Sequence, residues 1–203
     1  MMKKMIVLLH GVGSRGDDLR GLGKYWSQTL GDVLVASPDG PSHFDMGPGF
    51  QWFSVNGITE ETRAGRIADA RAAFNATING LLEKHDVQPG RDKLVLAGFS
   101  QGAIMSLDAL VNGQWPLAAV VAFSGRLASP RPWQPASNTP VLLVHGMSDP
   151  VITWKESERA AAALGDAGIN ADTYFEPGVP HTLTANGAMK AASFLQPLLN
   201  RVD

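Results

Sequence analysis

The strongest constraint on the fold is a rhythm of six short apolar runs, at residues 4–9, 33–37, 93–99, 118–123, 141–144 and 171–175. Within them Val, Leu, Ile and Ala follow one another with little alternation, the pattern of strands covered on both faces in a parallel sheet. Parallel neighbours require crossover connections, and helical stretches lie where crossovers are needed. The clearest covers 60 to about 85, where Ile67, Ala70, Phe74, Ile78, Leu81 and Leu82 recur at spacings of three and four. Thr59 is placed to cap it, with Glu60 and Glu61 favourable in its first turn. Further helices are expected over 103–111, 154–164 and 185–196. The second of these opens with a capping-box pattern at Thr153 and Glu156 and closes at Gly165 or Gly168; Pro197 should end or kink the last. This alternation predicts the α/β class, a three-layer sandwich around a mostly parallel sheet, with ligands at the carboxyl ends of its strands.

The 203 residues suit a single domain spanning 1–203, large enough to bury about 70% of its extended surface without disulfides or a structural metal. The absence of cysteine agrees. Hydrophobic residues at 44%, charged residues at 18% and a formal net charge of −2 exclude a disordered chain and give no electrostatic reason to expect nucleic acid. A small molecule is the expected partner. No apolar run approaches the roughly 18 residues of a membrane span. Lys3 and Lys4 precede an apolar stretch too short for a signal peptide, so a first buried strand is expected there, and the cytoplasm is the default compartment. Two loops, 38–57 and 129–140, are rich in Gly or Pro and could shape a pocket.

Gly98-Phe99-Ser100-Gln101-Gly102 follows one apolar run and precedes a helical one, the strand, sharp turn and helix of a nucleophile elbow. A serine hydroxyl needs a base to take its proton, and histidine, with an ordinary pKa near 6.5, is the usual one. His181, in Pro177-Gly178-Val179-Pro180-His181 after the last expected strand, is the base of choice; His85 ends a helix and suits a surface role. Asp149 stands just past the run 141–144 and should orient His181, with Glu176 and Asp172 as rivals in sequence. The chain order Ser, Asp, His is that of α/β-hydrolases. Backbone amides of Gln101, at a helix start, and of Val12, in the turn His10-Gly11-Val12-Gly13, are the expected donors to an oxyanion. That turn lacks the Gly-Lys-Ser/Thr ending of a phosphate loop.

With these residues in view, the chain resembles the phospholipase/carboxylesterase family of small α/β-hydrolases, which includes bacterial carboxylesterases and acyl-protein thioesterases. The resemblance rests on Leu8-Leu9-His10-Gly11-Val12-Gly13, Gln51-Trp52-Phe53-Ser54, the Ser100 motif with Ala103, His145-Gly146 with Asp149-Pro150-Val151, and His181. It implies Ser100 as nucleophile, Asp149 and His181 as its partners, Val12 and Gln101 as oxyanion donors, and a substrate pocket wall near Trp52 and Phe53. It also implies a monomer or homodimer and no cofactor or metal. Ser14 departs from an acidic residue common in relatives, and the opening antiparallel strands of relatives are missing or shortened. Only a short Pro-rich loop follows the run 118–123, so a minimal fold without a lid is expected, with an open cleft suited to small or soluble acyl esters.

These readings converge on a serine carboxylesterase. Acyl-thioester or lysophospholipid hydrolysis would use the same residues, and a binding protein that kept the fold is the alternative from another class. A metal-dependent hydrolase would have to use His10, His145 and Asp149. His10 and His145 are better read as braces of their loops. His43 and Asp45 are possible substrate neighbours, and Trp26, Trp115, Trp133 and Trp154 are packing or surface residues.

Overall fold

The computed structural model describes residues 2–136 and 138–201. All six apolar runs become strands: β1 (Lys4–Leu9), β2 (Leu34–Ala36), β5 (Lys93–Phe99), β6 (Ala119–Phe123), β7 (Val141–Gly146) and β8 (Ala171–Glu176). They form one parallel sheet in the order β2-β1-β5-β6-β7-β8. Among the described residues the α-helices are α1 (Arg20–Thr29), α2 (Glu60–His85), α3 (Gln101–Asn112), α4 (Lys155–Asp166) and α5 (Ala185–Asn200). Winding reverses between β1 and β5, so the loops leaving their carboxyl ends diverge there and open a crevice.

The lack of alternation in the strands has its cause in two cores. Met5, Val7 and Leu9 pack with Ile67, Phe74, Ile78 and Met105 of α2 and α3, while Ile6 and Leu8 pack with Trp26 of α1 and Leu195 and Leu199 of α5. The inner strands β1, β5, β6 and β7 are therefore buried on both faces, and the result is the expected three-layer sandwich. Helix α3 is buried along almost its whole length because it lies beneath α2 against β5 and β6. Segment 124–140, which follows β6, contains no helix among the described residues. No helix among them is long and apolar enough to cross a membrane.

Some details differ from expectation. Helix α1 arises from a segment with no anticipated structure, although Leu19, Leu22, Trp26 and Leu30 repeat at helical spacing and pack on the sheet. The Thr153 capping box does not form; Trp154 occupies the cap of α4 without a side-chain bond, and Thr153 contributes its carbonyl, which accepts from Glu156 N at 2.9 Å. The helix closes at Gly168, whose φ of +77° suits glycine. Pro197 does not end α5, which runs on to Asn200. Its ring faces solvent, its carbonyl still accepts from Arg201 N, and burial of Leu195 and Leu199 on either side outweighs one missing donor. Loop 38–57 holds a small hairpin, β3 (Ser42–His43) and β4 (Phe50–Gln51), tied to the turn after β1 by Gly13 N to Phe50 O and Phe50 N to Ser14 O, both 2.8 Å.

Asp92 fastens the start of the sheet. Its buried carboxylate accepts from Lys3 N at 2.9 Å, Gln88 N at 2.8 Å and the Arg91 guanidinium at 2.8 Å. Burial alone would raise its pKa, but these donors prevail and bring it down to about 2. A carboxylate whose folded pKa is depressed adds stability above its ordinary pKa of 3.8, and loses it as pH falls through about 2. Asp92→Asn is expected to lower unfolding free energy by about 1–3 kcal/mol at pH 7. The gap to wild type should narrow between pH 4 and pH 2, as read by urea melts across that range; a pH-independent gap would contradict the assignment.

Candidate active site

Ser100 ends the β5 to α3 turn with φ +54° and ψ −115°, a conformation that side chains rarely adopt. The flanking glycines are required by space. A Cβ on Gly98 would lie 2.2 Å from the Gly102 carbonyl group, and one on Gly102 would lie 2.0 Å from Leu9 O. Turn and helix can close on β1 only without those side chains, and the closure brings Gly11 against Ser100 and the Phe99 ring.

The three residues expected to act together do meet. Ser100 Oγ lies 2.9 Å from His181 Nε2, and His181 Nδ1 lies 2.6 Å from Asp149 Oδ2. Because a carboxylate only accepts, the imidazole carries its proton on Nδ1, and its Nε2 lone pair faces the serine hydroxyl. The loop carrying His181 is held by Ser148 N to Val179 O at 3.0 Å, and Gly146 allows that approach, since a Cβ there would strike Val179 O at 2.2 Å. The Phe99 ring packs beside the imidazole, centroids 4.8 Å apart. Asp149 Oδ1 accepts from Val151 N at 2.8 Å and Ile152 N at 2.9 Å. Burial pushes the Asp149 pKa up, yet the hydrogen bonds from His181, Ile152 and Val151 together pull it below the ordinary carboxylate value.

The rivals lie elsewhere. Glu176 accepts at both carboxylate oxygens from Thr184 Oγ1, 2.8 Å each, and Asp172 is exposed on β8. His10 and His145 brace loops, as expected. His10 Nδ1 donates to Gly11 O at 2.7 Å while Nε2 accepts from Gly40 N at 2.8 Å. His145 Nε2 donates to Ile152 O at 2.8 Å and its Nδ1 accepts from Ser157 Oγ at 2.7 Å. Burial lowers both pKa values, which suits neutral structural rings. His43 stacks on Phe50, and Asp45 accepts from Gln51 Nε2 at 2.9 Å, so both serve the hairpin.

Trp52 and Phe53 require a correction. They are only 2% and 7% exposed, and both belong to the core rather than to an open pocket wall. The Trp52 indole N–H donates to His10 O at 2.9 Å and the ring meets Phe74 edge-on. Their link to the site runs through Gln101, a contact that sequence reasoning missed: its side-chain carbonyl accepts from Trp52 N and its amide donates to Phe53 O, both 2.7 Å. The residue after the serine thus ties loop 38–57 to the elbow. A glutamine directly after the motif serine was the available signal. Gln101 N opens α3, where the helix dipole is positive, and Val12 lies in the turn pressed against Ser100 by Gly11. In that turn the amides of Gly13 and Ser14 bond Phe50 O and Gly11 O.

A parallel sheet with a serine elbow at its topological switch point defines an α/β-hydrolase fold. A profile of the phospholipase/carboxylesterase family matches residues 1–199, and the chain belongs to that family. Among curated proteins it is similar to Esterase YpfH of Escherichia coli strain K12, 35% identical over 166 residues, covering 82% of this chain and 70% of that one. It is also similar to acyl-protein thioesterase 1 of Neurospora crassa, 25% identical, covering 97% of this chain and 87% of the relative. Among solved structures, esterase PE8 superposes with a TM-score of 0.89 at 34% identity, covering 98% of this chain and 94% of PE8. The chain is an ester-hydrolysing enzyme of this family.

Proposed function

We propose that the protein is a serine carboxylesterase that hydrolyses small or soluble carboxylic esters through an acyl-enzyme on Ser100. The observation that carries this reading is the continuous hydrogen-bonded line from Ser100 Oγ through His181 to Asp149, at 2.9 and 2.6 Å. Ser100 Oγ attacks the ester carbonyl while His181 Nε2 takes its proton; the oxyanion is held by the amides of Val12 and Gln101. The imidazolium then gives that proton to the departing alkoxide, leaving the acyl group on Oγ. Water, deprotonated by the same Nε2, attacks the acyl-enzyme, and the proton returns to Ser100 as the carboxylic acid leaves. Asp149, already ionised, stabilises the imidazolium each time it forms. The similarity to acyl-protein thioesterase 1 supports thioester hydrolysis as a second reading, since the same steps apply to a thiolate leaving group. Comparison of kcat/KM for p-nitrophenyl esters, a thioester and a lysophospholipid separates these.

The pH profile tests the base. Protonated imidazole cannot accept from Ser100, so log kcat/KM should fall toward acid with a slope approaching one. Asp149, its pKa lowered, stays charged through this range and does not supply the limb. Rates of p-nitrophenyl butyrate hydrolysis from about pH 5 to 8 check this. A flat profile there would contradict it.

A further inference from the structure

Three buried side-chain polar atoms have no hydrogen-bond partner among the described residues: Nε of Arg63, Nε of Arg126 and Oγ of Ser129. They are not scattered. Arg63 and Arg126 converge on one oxygen of Glu60, at 2.9 and 3.2 Å, and Ser129 follows Arg126 by three residues. A third guanidinium, Arg66, lies one turn along α2 from Arg63 and donates to an uncharged acceptor, Ser54 O, at 2.9 Å. Two guanidinium groups therefore share a single carboxylate, with a third one turn away along α2. That carboxylate belongs to a side chain 75% exposed, whereas Arg63 and Arg126 are only 16% and 15% exposed. Elsewhere a partly buried arginine has its Nε bonded: Arg71 grips buried Asp108 through Nε and Nη2, two bonds of 2.9 Å. The orphaned Nε atoms are sealed from solvent, but two guanidinium groups that share one exposed carboxylate keep further Nη donors, and a planar carboxylate suits these best.

The cluster stands beside the elbow. Ser100 N donates to Phe123 O at 2.9 Å, and Phe99 pairs with Phe123 in the sheet. Ser100 is one residue past that pair and Arg126 three; β6 ends at Phe123 and Ser124 turns at φ +51°, so chain length together with the Ser100 N to Phe123 O bond keeps their Cα atoms within roughly 18 Å. Gly125 holds this loop against the first turn of α3, where a Cβ would lie 2.5 Å from Ala103 Cβ. Opposite, Ser54 follows the Trp52-Phe53 segment that Gln101 fastens to the elbow. The hydrogen bond from Arg63 and its charge, with Arg126 adding, also hold the Glu60 carboxyl below its ordinary range, as expected beside an excess of positive charge.

We propose that Arg126, with Arg63, forms a carboxylate-binding subsite beside Ser100, so that the preferred substrate is an ester whose acyl part ends in a carboxylate. The inference rests on the serine hydrolase reading and deepens it. The reaction is hydrolysis of a dicarboxylic half-ester: the ester C–O bond breaks, water supplies hydroxyl to the acyl carbon and a proton to the alcohol, and a dicarboxylate and an alcohol leave.

The test compares the p-nitrophenyl half-ester of adipic acid with p-nitrophenyl hexanoate, which has a methyl group in place of the carboxylate. In wild type, kcat/KM should favour the half-ester. In Arg126→Met the ratio of the two values should fall about tenfold, the loss of one charge-assisted bond, with Arg126→Lys intermediate and Arg63→Gln lowering the ratio in the same direction. Equal changes on both esters, or an unchanged ratio, would overturn the proposal. Calorimetric titration with adipate reads the subsite without turnover: binding to wild type that is lost in Arg126→Met supports it, and no binding to wild type overturns it. Adipate binding in a protein that hydrolyses neither ester would instead count against the hydrolase reading and leave the subsite standing.

Discussion

Ser100→Ala is expected to lower kcat on p-nitrophenyl butyrate by about 10⁴- to 10⁶-fold, since nucleophile and base act as a unit and what remains comes from binding and the oxyanion donors. The fold should survive, because the side chain is bonded only to His181 and both neighbouring glycines remain. A companion variant separates chemistry from packing. Ser100 holds φ +54°, which costs about 1–3 kcal/mol for a side chain and far less for glycine. Ser100→Gly should therefore be as inactive as the alanine variant yet melt at a higher temperature than it. Steady-state kinetics and thermal denaturation of the three proteins check both halves. Retained activity in a verified Ser100→Ala protein would remove the nucleophile from the account.

The second large effect is expected of Asp149→Asn, with a fall in kcat of about 10⁴-fold. Its direction follows from two backbone amides. Val151 N and Ile152 N both donate to Oδ1, so an asparagine must place its carbonyl oxygen there. Its NH₂ group then occupies the Oδ2 position, facing Nδ1 of His181. To accept from that group the imidazole must move its proton to Nε2, and Nε2 can no longer take the proton of Ser100. His145 adds to the conflict, because its Nε2–H lies 3.2 Å from Oδ2 and would meet a donor instead of an acceptor. The signature is a loss in kcat with little change in KM, accompanied by a modest fall in melting temperature. An Asp149→Asn protein within tenfold of wild type would contradict the orienting role.

How far the molecule can be read from its residues depends on the range of the forces involved. The strands were legible because burial on both faces leaves a run of Val, Leu and Ile that no exposed segment tolerates, and 4–9 and 93–99 match β1 and β5 to the residue. Ser100 was legible because the elbow demands glycine on both sides, and Asp149 and His181 because each follows a strand of the same sheet. Helix α1 was obscured by Gly21 and Gly23, which weaken local helical preference; only packing of Trp26 and Leu30 stabilises it. The hairpin β3–β4 has two-residue strands, too short for any periodic signal. Trp52 was read as a pocket wall because an aromatic beside a catalytic loop can be either wall or core. What decides is an indole bond to His10 O, 42 residues away in sequence, which exists only once the sheet has formed. The pairing of Arg126 with Glu60 is equally non-local, set by how the loop after β6 meets the start of α2.

Everything in the mechanism requires one hydroxyl to become covalently bonded during turnover. The direct measurement treats the protein with a p-nitrophenyl phosphonate and follows intact mass, residual esterase activity and the modified peptide together. The account predicts one phosphonyl group per chain, carried on Ser100, with activity lost in proportion to labelling and no labelling of Ser100→Ala. Full activity after complete modification of Ser100, or inactivation with the adduct on another residue and Ser100 unmodified, would contradict it.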